Sequence, residues 1–183
     1  MASPDISLAV LGTGRLAYGC TDLTTAWPHG GTGLGLVGGV RILPPNIYKP
    51  LVAEETNGPD AVLYLGGALL LGCMLEAWQD DAISAVFPSS TTISGGKVVQ
   101  WPGSGTQAGS SVSALSKLVF TPTNTSHPGV LIYSAAPLIE VNAELRMTAY
   151  SYLRTPVVFV AMPDNSSRLG AMGTIARLAT VLS

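Results

Sequence analysis

The sequence predicts a mainly β fold: an antiparallel β-sandwich or barrel-like domain, with one short flanking α-helix and a long loop or hairpin arm. Two observations lead there, and a third bears on the surface. Short apolar runs recur along the chain, separated by clusters of Gly, Pro, Asn and Ser, which is the rhythm of strands and turns. The 183 residues include 21 glycines and 13 prolines, too many for a fold built on long helices. Charged residues make up 11% and hydrophobic residues 47%, where about 25% charged is usual. The length suits one domain, taken as residues 1–183, with a core large enough to need no disulfide or metal.

Ile6 to Leu11 reads as a first strand and Arg15 to Cys20 as a second, after a turn at Gly12-Thr13-Gly14. Trp27 to Gly33 (WPHGGTG) reads as a loop. Leu34 to Leu43 reads as a strand whose Gly35, Gly38 and Gly39 mark bulges or close backbone approach. Pro44-Pro45-Asn46 stops it, and Tyr48 to Ala53 continues as an edge. Asn57-Gly58-Pro59-Asp60 is a strong turn, followed by a strand over Ala61 to Leu65. Leu69 to Trp78 stays open between strand and helix. Ala68, Leu71, Leu75 and Trp78 have helical spacing, but Gly66-Gly67 and Gly72 disfavour a long helix.

The short helix is expected at Gln79 to Phe87. Asp80 and Asp81 suit a helix N-terminus, and Ala82, Ile83, Val86 and Phe87 give one apolar face. Ser89 to Ser116 is rich in Ser, Gly and Thr. It reads as a long loop or hairpin arm with its tip at Gly103 to Ser111. Strands are expected again at Lys117 to Thr121, Val130 to Leu138, Ala143 to Tyr152 and Pro156 to Met162, with turns at His127-Pro128-Gly129 and Pro163-Asp164-Asn165. The last strand is expected over Leu169 to Leu178, with Ala171, Gly173 and Ile175 opposite Met172, Thr174 and Ala176.

A chain with so few charges has little with which to cover a monomer's surface. Much of that surface is expected to lie against neighbouring subunits. The net charge is −2, and the nine basic residues are scattered from Arg15 to Arg177. Tight sequence-independent binding of duplex DNA needs clustered Lys and Arg, so this pattern argues against it. Met1 to Asp5 shows no basic region leading into an apolar run, so no signal peptide is expected. The most apolar stretch, Ala61 to Leu75, is bounded by Asp60 and Glu76 and falls short of the roughly 20 residues a spanning helix needs. No membrane partner is expected.

Motifs with chemical meaning are few. Gly12-Thr13-Gly14-Arg15-Leu16-Ala17 and Gly33-Leu34-Gly35-Leu36-Val37-Gly38 match a dinucleotide fingerprint on paper, but neither leaves room for the helix that must follow. Gly95-Gly96-Lys97 lacks the rest of a phosphate loop. His29 and His127 sit in Gly/Pro turns and are expected to be solvent-exposed, and no Gly-x-Ser-x-Gly elbow is present. Cys20 and Cys73 lack the spacing of a metal or redox motif and are expected to be buried free thiols. Glu54-Glu55 and Asp80-Asp81 read as solvated loop charge and helix capping. Trp27, Trp78 and Trp101 read as core or interface anchors. No catalytic, cofactor-binding or metal-binding residue is assigned, and no enzymatic activity is expected.

The order of several segments is distinctive. A glycine-rich strand is followed by Tyr64-Leu65-Gly66 and Leu75-Glu76-Ala77-Trp78, then by Asp80-Asp81-Ala82-Ile83 and Phe87-Pro88. Lys117-Leu118-Val119-Phe120-Thr121-Pro122, His127-Pro128-Gly129-Val130-Leu131-Ile132-Tyr133 and Pro156-Val157-Val158-Phe159-Val160-Ala161-Met162-Pro163-Asp164 come later. Over roughly Leu34 to Leu178 this resembles the tail tube (major tail) proteins of tailed bacteriophages.

The resemblance implies a structural subunit of the virion tail, made in the host cytoplasm. Six copies would form a ring, and rings would stack into a tube. The tape measure protein and then DNA would occupy the lumen, without specific binding of the DNA, and a tail terminator would end the tube. A neutral-to-acidic lumen would let DNA slide, with Glu54, Glu55, Glu140 and Glu144 as candidates to line it. Two alternatives stand beside this reading. One is another phage ring or shell protein, such as a terminator, connector or decoration protein. The other is a ligand- or glycan-binding β-sandwich module with Trp27, Tyr48 and Trp101 around a cleft.

Overall fold

The computed structural model describes residues 13–43, 47–53, 58–76, 80, 85–87, 90–99, 115–138 and 155–182. Among these, six strands close into an antiparallel barrel. They are β1 (Gly14–Tyr18), β2 (Thr32–Leu43), β5 (Leu70–Leu75), β8 (Ser116–Pro122), β9 (Gly129–Leu138) and β10 (Thr155–Ala161). Their order is β10-β5-β2-β1-β8-β9, and β9 pairs back to β10 to complete the ring. The far edge of β9 is shared. Its second half pairs with β10, Ala135 opposite Ala161, and its first half with β11 (Gly170–Gly173), Val130 opposite Met172. Two ribbons stand apart from the barrel sheet: β3 (Ile47–Ala53) with β4 (Gly58–Gly66), and β6 (Ser90–Ile93) with β7 (Gly96–Val99).

Period-two alternation fills the barrel. Val157, Phe159 and Ala161 of β10 point inward, as do Leu71, Cys73 and Leu75 of β5. They meet Leu16, Leu34, Val37, Leu118, Phe120, Val130 and Ile132 in one core. Burying a side chain of this size contributes about 1.5–3 kcal/mol, and closure removes the sheet edges that would otherwise stay unpaired. Asp80, Ala85 and Val86 have helical backbone, and Val86 and Phe87 are buried in the same core. That agrees with the helix expected over Gln79 to Phe87 at each of its described positions but the last, Phe87, which lies just past the helical backbone.

A second, smaller core lies on the outer face of β1, β8 and β9. Ala17, Val119, Leu131 and Tyr133 point outward there, beneath Cys20, Leu23 and Leu178. Leu178 belongs to helix α1 (Ile175–Leu182). The expectation of a strand running over Leu169 to Leu178 is corrected here. Only Gly170–Gly173 is strand. The Thr174 carbonyl accepts from the amides of Arg177 and Leu178, at 2.9 Å each, and turns the chain into the helix. Ile175, Leu178, Ala179 and Leu182 then follow at i, i+3, i+4 and i+7, and all pack on this second core.

Two further differences are local. Gly14 is the first residue of β1 and not part of a turn, and the Thr13 carbonyl continues the ladder by accepting from the Thr123 amide at 3.2 Å. Leu69 to Trp78 resolves as strand over Leu70–Leu75. The other expected strands from Leu34 to Met162 that fall on described residues are formed. The segments at Ile6 to Leu11 and Ala143 to Tyr152 lie outside the described residues. The turn at Pro163-Asp164-Asn165 is present. The Asp164 carboxylate accepts from the amides of Ser166 (2.9 Å) and Arg168 (2.7 Å) and pairs with the Arg168 guanidinium at 2.9 Å. That guanidinium also lies over the Tyr133 ring, 4.2 Å from its centroid.

Candidate functional site

The barrel has two unlike outer faces. Over β1, β8 and β9 lies the chain's own cover, built from the 20–31 loop and α1. The loop is tightly made. The amides of Thr21 and Asp22 both donate to the His29 carbonyl at 3.1 Å, and the Asp22 carboxylate accepts from the Thr24 amide (2.8 Å) and hydroxyl (2.7 Å). Those hydrogen bonds from Thr24 hold the Asp22 carboxyl below its ordinary range. The Trp27–Pro28 peptide is cis. Trp27 lies between Gly33, where a Cβ would overlap its ring, and the Arg15 guanidinium, 5.3 Å from the ring centroid.

His29 and His127 are in turns, as expected, but the expectation that they are solvent-exposed is corrected. They retain 4% and 5% of their accessible surface. The His29 imidazole is held at both nitrogens, 3.0 Å from the Thr25 carbonyl and 2.9 Å from the Thr121 hydroxyl. The His127 amide donates to the Asn124 carbonyl at 3.0 Å, and its ring nitrogen Nε2 lies 3.4 Å from the Asn124 side-chain nitrogen. Each ring is buried because its loop folds back onto the barrel. Burial of a polar ring is tolerated where its nitrogens find partners, and both histidines serve the structure in this way.

The outer face of β2, β5 and β10 is different. Cross-strand registers set Pro156 beside Met74, Val158 beside Gly72 and Val160 beside Leu70, with Gly38, Arg41 and Leu43 on the next strand. Among the described residues no helix or loop packs over this face in the way that α1 covers the other. Leu36 and Leu43 are each 54% exposed. A shallow concavity of about 210 Å³ runs along it, bounded by Gly39, Arg41, Gly72, Met74 and Pro156. Gly72 has ordinary backbone angles, and a Cβ there would meet only the Val158 side chain, at 4.0 Å. Nothing among the described residues requires glycine at this position. Gly72 lies opposite Arg41, beside the register shift of β2 between Gly38 and Arg41, and strand glycines are common at such irregularities.

From the same strands springs the β3–β4 ribbon. β2 ends at Leu43 and β3 begins at Ile47; β4 ends at Gly66 and β5 begins at Leu70. Tyr48 pairs with Tyr64 and Lys49 with Leu63, while neither strand pairs with the barrel. Leu63 is 47% exposed. The sequence displays these strands but not their union into an arm, and the turn expected at Asn57-Gly58-Pro59-Asp60 is corrected: Gly58, Pro59 and Asp60 are already strand, with Ala53 opposite Gly58 and Val52 opposite Pro59. The arm expected at Ser89 to Ser116 has a described part that forms the β6–β7 hairpin, and its tip, Gly103 to Ser111, lies outside the described residues. Glu54, Glu55, Glu140, Glu144, Trp78 and Trp101 also lie outside them. Cys20 and Cys73 are free and buried as expected, and burial pushes their thiols up to about 11 and about 12.

No protein-family model matches the chain, and no curated protein matches it. The fold and the two surfaces define the class: a closed six-stranded antiparallel β-barrel with a C-terminal helix.

Proposed function

We propose that the protein is a structural subunit of a homo-oligomeric assembly, specifically a subunit of a phage tail tube. In this reading, stacked rings of six copies form a channel through which DNA passes. The observation that carries the reading is the β3–β4 ribbon. A two-stranded ribbon is marginally stable by itself in water, and this one has both outer edges unpaired among the described strands. Contact with a neighbouring subunit would satisfy it. Two features support the same conclusion: the apolar face around Gly72, uncovered among the described residues, and a charged fraction of only 11%. A surface patch that fits a different patch on an identical copy generates rings or filaments.

The test is size-exclusion chromatography with light scattering, followed by negative-stain microscopy of the purified full chain. Rings or tubes with a central channel are expected. Capped single rings that never stack would move the assignment to a terminator or connector. Monomers up to the solubility limit would remove the assembly reading.

A further inference from the structure

The recess on the outer face of β2, β5 and β10 owes its shape to one extra residue in β2. Gly38 pairs with Met74 and Arg41 with Gly72, so Gly39 and Val40 stand against Cys73 alone on β5. This two-against-one count is a β-bulge, and Gly39 has the left-handed backbone (φ 59°) that a bulge can take at glycine. The bulge resets the alternation. Val37 points inward before it, and Val40 and Ile42 pack on the same core after it. Strict period two from Val37 would turn Arg41 into the core. With Gly39 inserted, Arg41 stands on the outer face and is exposed.

Across the ladder from Arg41 is Gly72, so no side chain opposes it. The concavity of about 210 Å³ lies here, with Met74 and Pro156 as an apolar rim. Other guanidinium groups of the chain are engaged: Arg15 lies over the Trp27 ring, and Arg168 pairs with Asp164 above Tyr133. Among the described residues no carboxylate or ring partners Arg41. The Glu76 carboxylate lies beside Gly38, on the far side of the bulge, 2.8 Å from where a Cβ would stand.

We infer that Arg41 receives a carboxylate from a second copy of this chain. The inference rests on the assembly reading above. Charge and surroundings select the partner. A copy brings eleven acidic residues against nine basic ones. A carboxylate matches the guanidinium fork with two parallel hydrogen bonds. An exposed pair between mobile side chains is worth little. A neighbouring copy would also cover Met74 and Pro156 and exclude water from the recess, and a charge pair closed off in this way fixes both register and lifetime of a contact.

Carbodiimide coupling of the full-length Arg41→Lys variant tests this. The reagent joins an amine to a carboxyl only where the two touch, with loss of water. In a mixture of isotopically light and heavy copies, mass spectrometry should find the introduced amine bonded to an Asp or Glu of the other copy. Arg41→Glu should raise the concentration needed for assembly at least about 10-fold, with the thermal midpoint of the wild type. If Arg41→Glu fails to fold, the cross-link decides alone. A wild type that assembles while Arg41→Glu assembles equally well, or while no link between copies forms at position 41, would overturn the inference and leave the assembly reading standing. A wild type that stays monomeric up to its solubility limit would remove both.

Discussion

The Nε2 atom of His29 lies 2.9 Å from the hydroxyl oxygen of Thr121, tying the 20–31 loop to the barrel wall. The Thr25 carbonyl can only accept, so Nδ1 of His29 donates to it, and in the neutral ring Nε2 accepts from Thr121. The ring is held at both ends, although His29 itself has a left-handed backbone (φ 60°) that non-glycine residues seldom adopt. His29→Ala should cost about 2–3 kcal/mol, since it removes both bonds and leaves a cavity. Thr121→Val keeps the shape and loses one partner, at about 1 kcal/mol. Urea denaturation of the two variants checks the ranking.

Gly33→Ala is expected to displace Trp27, because the new Cβ would overlap the indole ring. A loss of about 1–3 kcal/mol is expected from the overpacking. Trp27→Leu should cost stability by itself but remove most of the penalty at Gly33. A double-mutant cycle should therefore give a coupling above about 0.5 kcal/mol. Additive effects would mean that the two residues are not in contact.

The buried thiol of Cys73 makes stability depend on alkaline pH. In an unfolded chain a thiol titrates near pH ~8.5, while in the fold burial raises Cys73 to about 12. The folded state keeps its proton where the unfolded state has lost it. The stabilisation is complete below about pH 8.5 and falls as pH rises toward 12, by up to about 1.4 kcal/mol per pH unit. Urea midpoints measured from about pH 8 upward should fall more steeply for the wild type than for Cys73→Ala. Parallel slopes would contradict a buried thiol.

Gly72→Leu separates folding from assembly. A Cβ at this position meets only the Val158 side chain, at 4.0 Å, and needs no special backbone angle, so the thermal midpoint should shift by no more than about 2 °C. If the Gly72 face meets a neighbour, the same change should prevent ring or tube formation on light scattering. Unchanged assembly would clear this face of any interface and leave the β3–β4 ribbon as the contact to pursue.

Much of this fold is legible in the sequence where local chemistry decides the outcome. The run from Pro156 to Met162 is β10 because branched apolar residues favour a strand buried on alternate positions. Gly66-Gly67 and Gly72 argue against a helix at β5, and the strand is what forms. Misreadings arise where a local pattern supports two answers. Between Leu169 and Leu178, a two-residue alternation and an i, i+3, i+4 spacing coexist, and the Thr174 carbonyl decides between them. Burial of His29 and His127 depends on loops folding back against strands far away in the chain, which a single sequence does not display. The β3–β4 arm is hidden for a related reason: both strands are visible, but not their separation from the barrel.

Barrel closure also sets a timetable. Gly14 pairs with Pro122, Leu71 with Phe159, and Ala135 with Ala161. On a chain emerging from the ribosome, the early member of each pair must wait for the late one. Such distant pairings slow folding, and waiting strands are open to the wrong partners. The chain thus spends most of its synthesis unfinished, and only when the last strand of the ring and the helix behind it have appeared can the barrel close.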